Sequence, residues 1–112
     1  MTLFLFFTTL NVFCYPSTYC YNASCYTISK DEYNLYDRAN NLFFSHEYLK
    51  AIKQADILIN KYPHSYMGYN IRGIAKAYNN NFNEGMQDID KSLSIKSDYG
   101  YAIFNKALTY EL

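Results

Sequence analysis

Tyr69-Asn70-Ile71-Arg72-Gly73-Ile74-Ala75, followed after six residues by Phe82-Asn83-Glu84-Gly85-Met86-Gln87-Asp88-Ile89-Asp90-Lys91-Ser92-Leu93, is the stretch from which the fold is read. Its second half has an earlier counterpart. Tyr48-Leu49-Lys50-Ala51-Ile52 aligns with Phe82-Asn83-Glu84-Gly85-Met86 at an offset of 34 residues. The same offset relates Ala39 to Gly73 and Ala107, and Leu35 to Tyr69 and Ile103. It also joins Leu58 to Ser92, Ile59 to Leu93 and Pro63 to Ser97. A spacing that holds at small and large positions alike marks an internal repeat.

This 34-residue pattern resembles the tetratricopeptide repeat (TPR), in which each unit is two antiparallel helices. The resemblance covers residues 32–65 and 66–99 as full units and 100–112 as part of a third. It implies an all-α fold over residues 30–112, a helical hairpin solenoid of about two and a half repeats, preceded by an apolar leader. Small residues then sit where helices cross closely: Ala39, Gly73 and Ala107 on the first helices, Ala51 and Gly85 on the second. Tyr48 and Phe82 fill the wedge between them. Pro63 stops the second helix of the first unit, because it lacks an amide donor and clashes with the preceding turn. Ser97 stands in its place one unit later and predicts a looser turn.

Capping signals agree with this register. Ser29-Lys30-Asp31-Glu32 reads as a capping box, in which hydroxyl and carboxylate each satisfy an exposed amide. Asn81-Phe82-Asn83-Glu84 offers a similar start, and Ser65 caps a helix beginning at Tyr66. The predicted helices are 30–44, 47–61, 66–79, 82–96 and 99–111. The last is half of a third unit, which leaves Ile103, Ala107 and Leu108 with one exposed side. A stack normally needs about three units, so the chain reads as a fragment of a longer array or as one that self-associates through this open end.

Outside the repeats the chain changes character. All ten basic and ten acidic residues lie from Lys30 onward, and Met1 to Ser29 carry no charge. A nucleic-acid reader would carry a basic face, since phosphate contacts supply much of its affinity; the mixed charges here exclude that class. Leu3 to Phe13 has the length of a signal-peptide core and is too short to span a bilayer. Residues 1–14 are therefore expected to be a signal peptide, cleaved after Cys14 or as late as Cys20, although no Lys or Arg precedes the apolar run. The alternative is a strand or helix packed on the repeats. Residues 15–29 form a Tyr/Cys-rich segment. Cleavage after Cys14 would leave Cys20 and Cys25, an even pair able to form a disulfide in an oxidising compartment. A lipid anchor at Cys14 fits poorly with Phe13 directly before it. Asn22-Ala23-Ser24 is a glycosylation sequon, meaningful only in a eukaryotic secretory chain. The expected location is exported (periplasmic, secreted or envelope-associated), with cytoplasmic as the alternative.

In the family resembled, ligands lie along the concave face formed by the first helix of each unit. Carried onto this sequence, that face is Tyr33, Tyr36, Asn40, Phe43 and Phe44, then Met67, Asn70, Ile74, Ala77 and Tyr78, then Tyr101, Phe104, Leu108 and Glu111. It is aromatic and mostly uncharged, which suits a hydrophobic or extended peptide. The competing reading packs several of these rings between helices. Members that clamp a peptide's terminal carboxylate use lysine, arginine and asparagine. Asn40 matches, but Tyr36, Ile71, Tyr101 and Asn105 fill the other places, so acidic chaperone tails are not the expected ligand.

No catalytic motif appears. There is no G-x-S-x-G, no phosphate-binding glycine loop and no H-E-x-x-H. His46 and His64 read as solvated turn residues, and Asp88, Asp90 and Lys91 as an outward, solvated stripe. The cysteines lie outside the repeats, which argues against a thiol nucleophile. The expectation is a binding module that is not an enzyme, has no cofactor, metal, small-molecule substrate or nucleic-acid partner, and takes a protein or peptide. The alternatives are a repeat portion of a larger enzyme or envelope-assembly protein, or a self-associating structural element.

Overall fold

The Ser29 hydroxyl accepts the Glu32 amide at 3.1 Å and opens the first helix, α1 (Lys30–Phe44). Four more follow: α2 (Tyr48–Lys61), α3 (Tyr66–Tyr78), α4 (Phe82–Ile95) and α5 (Gly100–Glu111). The computed structural model describes residues 18–21 and 24–112. The expected signal peptide 1–14, the cleavage site after Cys14 and the first two residues of the sequon lie outside the described residues. The fold is all-α, five helices packed as successive hairpins, with a short antiparallel pair, β1 (Thr18–Tyr21) and β2 (Ser24–Thr27), ahead of α1. Cys20 faces Cys25 across that pair, and the two form a disulfide. No helix among the described residues is long and apolar enough to cross a membrane.

The 34-residue offset is visible in the backbone. The α1–α2 and α3–α4 turns place His46 and Asn80 in the left-handed region, at φ 63° and 69°. In each, a pair of bonds closes the preceding helix: His46 N–H to Phe43 O and Glu47 N–H to Leu42 O, then Asn80 N–H to Ala77 O and Asn81 N–H to Lys76 O. This is the Schellman arrangement, usually built on glycine. α2 ends at Lys61 and α4 at Ile95, again 34 apart. The turn at Ser97 is therefore not looser than the one at Pro63. The Ser65 amide bonds Tyr62 O in the first and the Tyr99 amide bonds Lys96 O in the second, which sets both turns without the proline.

The closest crossing is between α3 and α4. A Cβ added at Gly73 would lie 2.6 Å from Gly85 O, and one at Gly85 would lie 2.6 Å from Gly73 O. Ala39 and Ala51 are fully buried as expected for close-contact positions, whereas Ala107 is exposed, because no described helix covers that side of α5. Tyr48 packs on Phe43 and Tyr78, with ring centroids 5.5 Å away in both cases. Phe82 does not repeat this and stays 40% exposed. Its equivalent partners are Ala77, which offers no ring, and Leu112, which lies beyond the end of α5.

Two further expectations need correction. The capping box at Ser29 is one-sided: Glu32 does not reach back to the Ser29 amide but is buried at 5% exposure, with Oε2 lacking a hydrogen-bond partner. Asn81 makes no side-chain cap bond, whereas the Ser65 hydroxyl accepts the Gly68 amide at 3.1 Å.

Burial pushes the Glu32 carboxyl above its ordinary value of 4.5, with the Ser65 hydroxyl opposing that shift. A carboxyl raised in the folded state holds its proton more tightly there. Its contribution to stability is thus present below pH 4.5 and lost as pH rises through the folded value. Glu32→Gln removes this penalty. Urea midpoints of the variant are expected to exceed those of the parent near neutral pH and to lose that advantage at about pH 4. A constant difference across the range would contradict the assignment.

Candidate peptide-binding groove

α1, α3 and α5 lie side by side, and the surface they share encloses a cavity of about 290 Å³. Eight of the residues expected from the sequence line it: Tyr36, Asn40, Phe43, Phe44, Asn70, Ile74, Tyr101 and Phe104. Ile71 and Asn105 complete the wall. None of these ten side chains is charged. Tyr36 comes from the middle of α1, where its Oη donates to Asn40 Oδ1 at 3.4 Å. Asn70 is 2% exposed, and its Oδ1 accepts Asn105 Nδ2 at 3.0 Å, which ties α5 to α3 across the floor. Phe44, Tyr101 and Phe104 stand at the rim, 62–70% exposed.

Charge does not enter this groove by titration either. Burial pushes the Tyr36 hydroxyl up to about 12. Tyr66 behind it is raised to about 12 for the same reason, and Tyr99 is driven well above the ordinary tyrosine range by burial. The rings stay neutral at physiological pH. What the site offers is aromatic surface and three amides, which can hold a ligand but supply no nucleophile and no acid–base pair. Among the described residues, no group of three or more His, Cys, Asp or Glu is placed to hold a metal ion.

Six of the expected groove residues do not line it: Tyr33, Met67, Ala77, Tyr78, Leu108 and Glu111. Met67 is 2% exposed and belongs to the core with Ile28, Tyr66 and Ile95. The cause is the chain entering from β2, which lays Ile28 over that end of α3. Tyr33 is half-buried against the same cluster, with its ring 5.9 Å from Tyr36. Tyr78 meets Phe43 edge-on at 5.3 Å and joins the two hairpins instead of lining the cavity. Ile71 and Asn105, which stand at carboxylate-clamp positions and outside the expected groove set, also line the wall.

Neither a comparison with protein-family models nor one with curated proteins yields a match. The likeness to a repeat family therefore stands on this chain's own residues.

One polar cluster departs from expectation. Asp88 is not on a solvated stripe: it is 7% exposed, its two oxygens bound by Arg72 Nε at 2.8 Å and Nη2 at 2.9 Å. Lys76 Nζ reaches the same carboxylate at 3.1 Å, and Arg72 Nη1 also binds Asp56 at 2.9 Å. Asp90 does lie outside and pairs with Lys106 at 2.9 Å. The pairs Asp56–Arg72 and Asp90–Lys106 are the same contact 34 residues apart, each linking a second helix to the first helix of the next hairpin. That repeat of a 16-residue acid–base spacing was the available signal.

Proposed function

We propose that the chain is a tetratricopeptide-type module that binds a protein partner, holding an extended, uncharged peptide segment in the groove between α1, α3 and α5 without transforming it. The observation that carries this reading is the composition of the groove wall: ten residues from three helices, rich in exposed rings and amides and free of charge. Rings give contact area at low entropic cost, and side-chain amides can match the donor and acceptor of a peptide bond. The repeat type is supported by the 34-residue recurrence of turns and interhelical ion pairs, and by buried small residues at equivalent positions, Ala39 and Ala51 then Gly73 and Gly85.

Selection of a displayed random-peptide library on the full chain tests the reading. Enriched sequences are expected to be apolar and aromatic, without Asp, Glu, Lys or Arg in the bound stretch. Tyr36→Ala combined with Phe104→Ala is expected to weaken their binding about tenfold or more, roughly 1.4 kcal/mol, with the helical circular dichroism unchanged. Absence of enrichment, enrichment of charged peptides, or indifference to the double variant would count against it.

We further propose that the protein works in an exported, oxidising compartment, supported by the uncharged leader sequence and the Cys20–Cys25 bond. Protein taken from its native cells is expected to resist thiol labelling at Cys20 and Cys25 until reduced. Freely reactive thiols at both positions would contradict the assignment.

A further inference from the structure

A second cavity, of about 190 Å³, lies where the end of β2, the start of α1 and the α2–α3 turn meet. It shares no residue with the groove. Pro63 and the Tyr62 ring give its wall apolar surface, and all but one of the polar groups around it are already paired. The Ser29 hydroxyl accepts the Glu32 amide at 3.1 Å and donates to Tyr62 Oη at 3.4 Å. Tyr62 Oη donates in turn to Asp31 Oδ2 at 2.7 Å, and Lys61 holds the same oxygen at 2.7 Å. The Ser65 hydroxyl accepts the Gly68 amide at 3.1 Å, which leaves its proton for the Glu32 carboxylate. Thr27 pairs with Thr18 at 3.0 Å, and His64 is engaged as well. Glu32 Oε2 remains, buried in the wall without a hydrogen-bond partner.

Charge leaves the same remainder. Lys61 and Asp31 neutralise each other, so Glu32 is the uncompensated charge of the cavity. Burial and the Ser65 hydroxyl act on its carboxyl, and no cation among the described residues does. A buried carboxylate without a counter-ion costs stability, and a cation entering from outside would recover it. The last side-chain torsion of a glutamate is broad and roughly two-fold, so the open oxygen can turn to face the cavity.

We infer that this cavity binds a primary alkylammonium group, with Glu32 as its counter-ion. The head group follows from the acceptors on offer. One open oxygen suits the compact point charge of an ammonium. The flat guanidinium fork is best met by both oxygens of a carboxylate, and here the Ser65 hydroxyl already claims part of that edge. The stem follows from the walls: Pro63 and the Tyr62 ring offer it apolar contact. The volume is far above the roughly 10–15 Å³ that a single water needs, which leaves room for a short alkyl chain. One charge-assisted contact with a small apolar stem fits a dissociation constant on the order of a millimolar. That is too weak to enrich lysine-bearing sequences in a displayed library, so this inference and the groove reading fail separately.

Nuclear magnetic resonance titration of the full chain with n-butylammonium chloride, at ionic strength held constant with sodium chloride, tests the inference. The backbone amides of Glu32, Tyr62 and Ser65 are expected to shift together and saturably. n-Butanol should leave them unmoved, since it brings the stem without the charge, and n-butylguanidinium should bind at least tenfold more weakly. Glu32→Gln, expected to fold at least as stably as the parent near neutral pH, should lose the saturable shift. Nα-acetyl-lysine amide carries the same head and stem on a peptide backbone. Binding tighter than that of n-butylammonium assigns the site to a lysine of a partner protein, and weaker binding assigns it to a small free amine. Absence of saturation, an equal response to n-butanol, or binding retained by Glu32→Gln would each overturn the inference, the first leaving Oε2 to water alone. An alkylguanidinium that binds as tightly as the ammonium would overturn the choice of head group.

Discussion

Gly73→Ala is expected to destabilise the fold by about 2–3 kcal/mol and to lower its thermal midpoint by roughly 10–20 °C. The added methyl would sit 2.6 Å from Gly85 O, 2.8 Å from Ile89 Cγ1 and 3.0 Å from Asp88 Cβ. The first of these is backbone in the first turn of α4 and cannot rotate away. The two helices must move apart, and that separation also stretches the contact between Asp88 and Arg72. Helix propensity pulls the other way, since alanine is preferred over glycine inside a helix by about 1 kcal/mol, but it is the smaller term. Gly85→Ala should behave alike, because its Cβ would lie 2.6 Å from Gly73 O. Gly68 is the comparison: its added Cβ would meet only the Ile59 and Leu58 side chains at 3.0–3.1 Å, which can adjust. Thermal melts followed by circular dichroism check the series, and a Gly73→Ala midpoint equal to the parent's would refute the tight crossing.

Asp88→Ala is expected to cost about 3–4 kcal/mol, within the range for breaking a buried ion pair from one side. The Asp88 side chain is 10% exposed, Arg72 is 21% and Lys76 is 19%, so removing the carboxylate strands two cations in a partly dry setting. Arg72 is held well above its ordinary range, chiefly by the Asp88 carboxylate, which reports the same coupling from the other partner. Arg72→Met together with Asp88→Leu should cost less than Asp88→Ala alone, because it removes charge from both sides. The exposed pair Lys50–Glu47 is the control: breaking it should change stability by less than about 1 kcal/mol. Urea denaturation of the four proteins gives the comparison, and a double variant at least as unstable as the single one would contradict this account.

The architecture was legible because its determinants are local. Ser29, Ser65 and Pro63 mark helix boundaries by what their own backbone and side chains can do, and the 34-residue offset then copied those boundaries onto α4 and α5. All five helices accordingly fall within a residue of expectation at each end. Side-chain destinations were less legible, because they depend on what arrives from elsewhere. Met67 holds a groove position by register, but Ile28 covers it. Asp88 looks solvated on its own helix, and only the adjacent α3, bringing Arg72 and Lys76, makes it a buried counter-ion. Glu32 has the right spacing for a reciprocal cap, yet it is buried on the Ser65 side instead. The left-handed turns at His46 and Asn80 carry no glycine, so the usual signal for them was missing.

The most direct test of the central proposal is a nuclear magnetic resonance titration of the full chain with the tightest library-selected peptide. The side-chain amides of Asn40, Asn70 and Asn105 serve as reporters, since all three line one cavity on three different helices. The account predicts that these amides, with backbone positions around Tyr36, Ile74 and Phe104, shift together and saturably, while exposed residues of α2 such as Lys53 and Asn60 stay still. Shifts confined to α2, α4 or the Cys20–Cys25 hairpin, with the three groove amides unmoved, would contradict it.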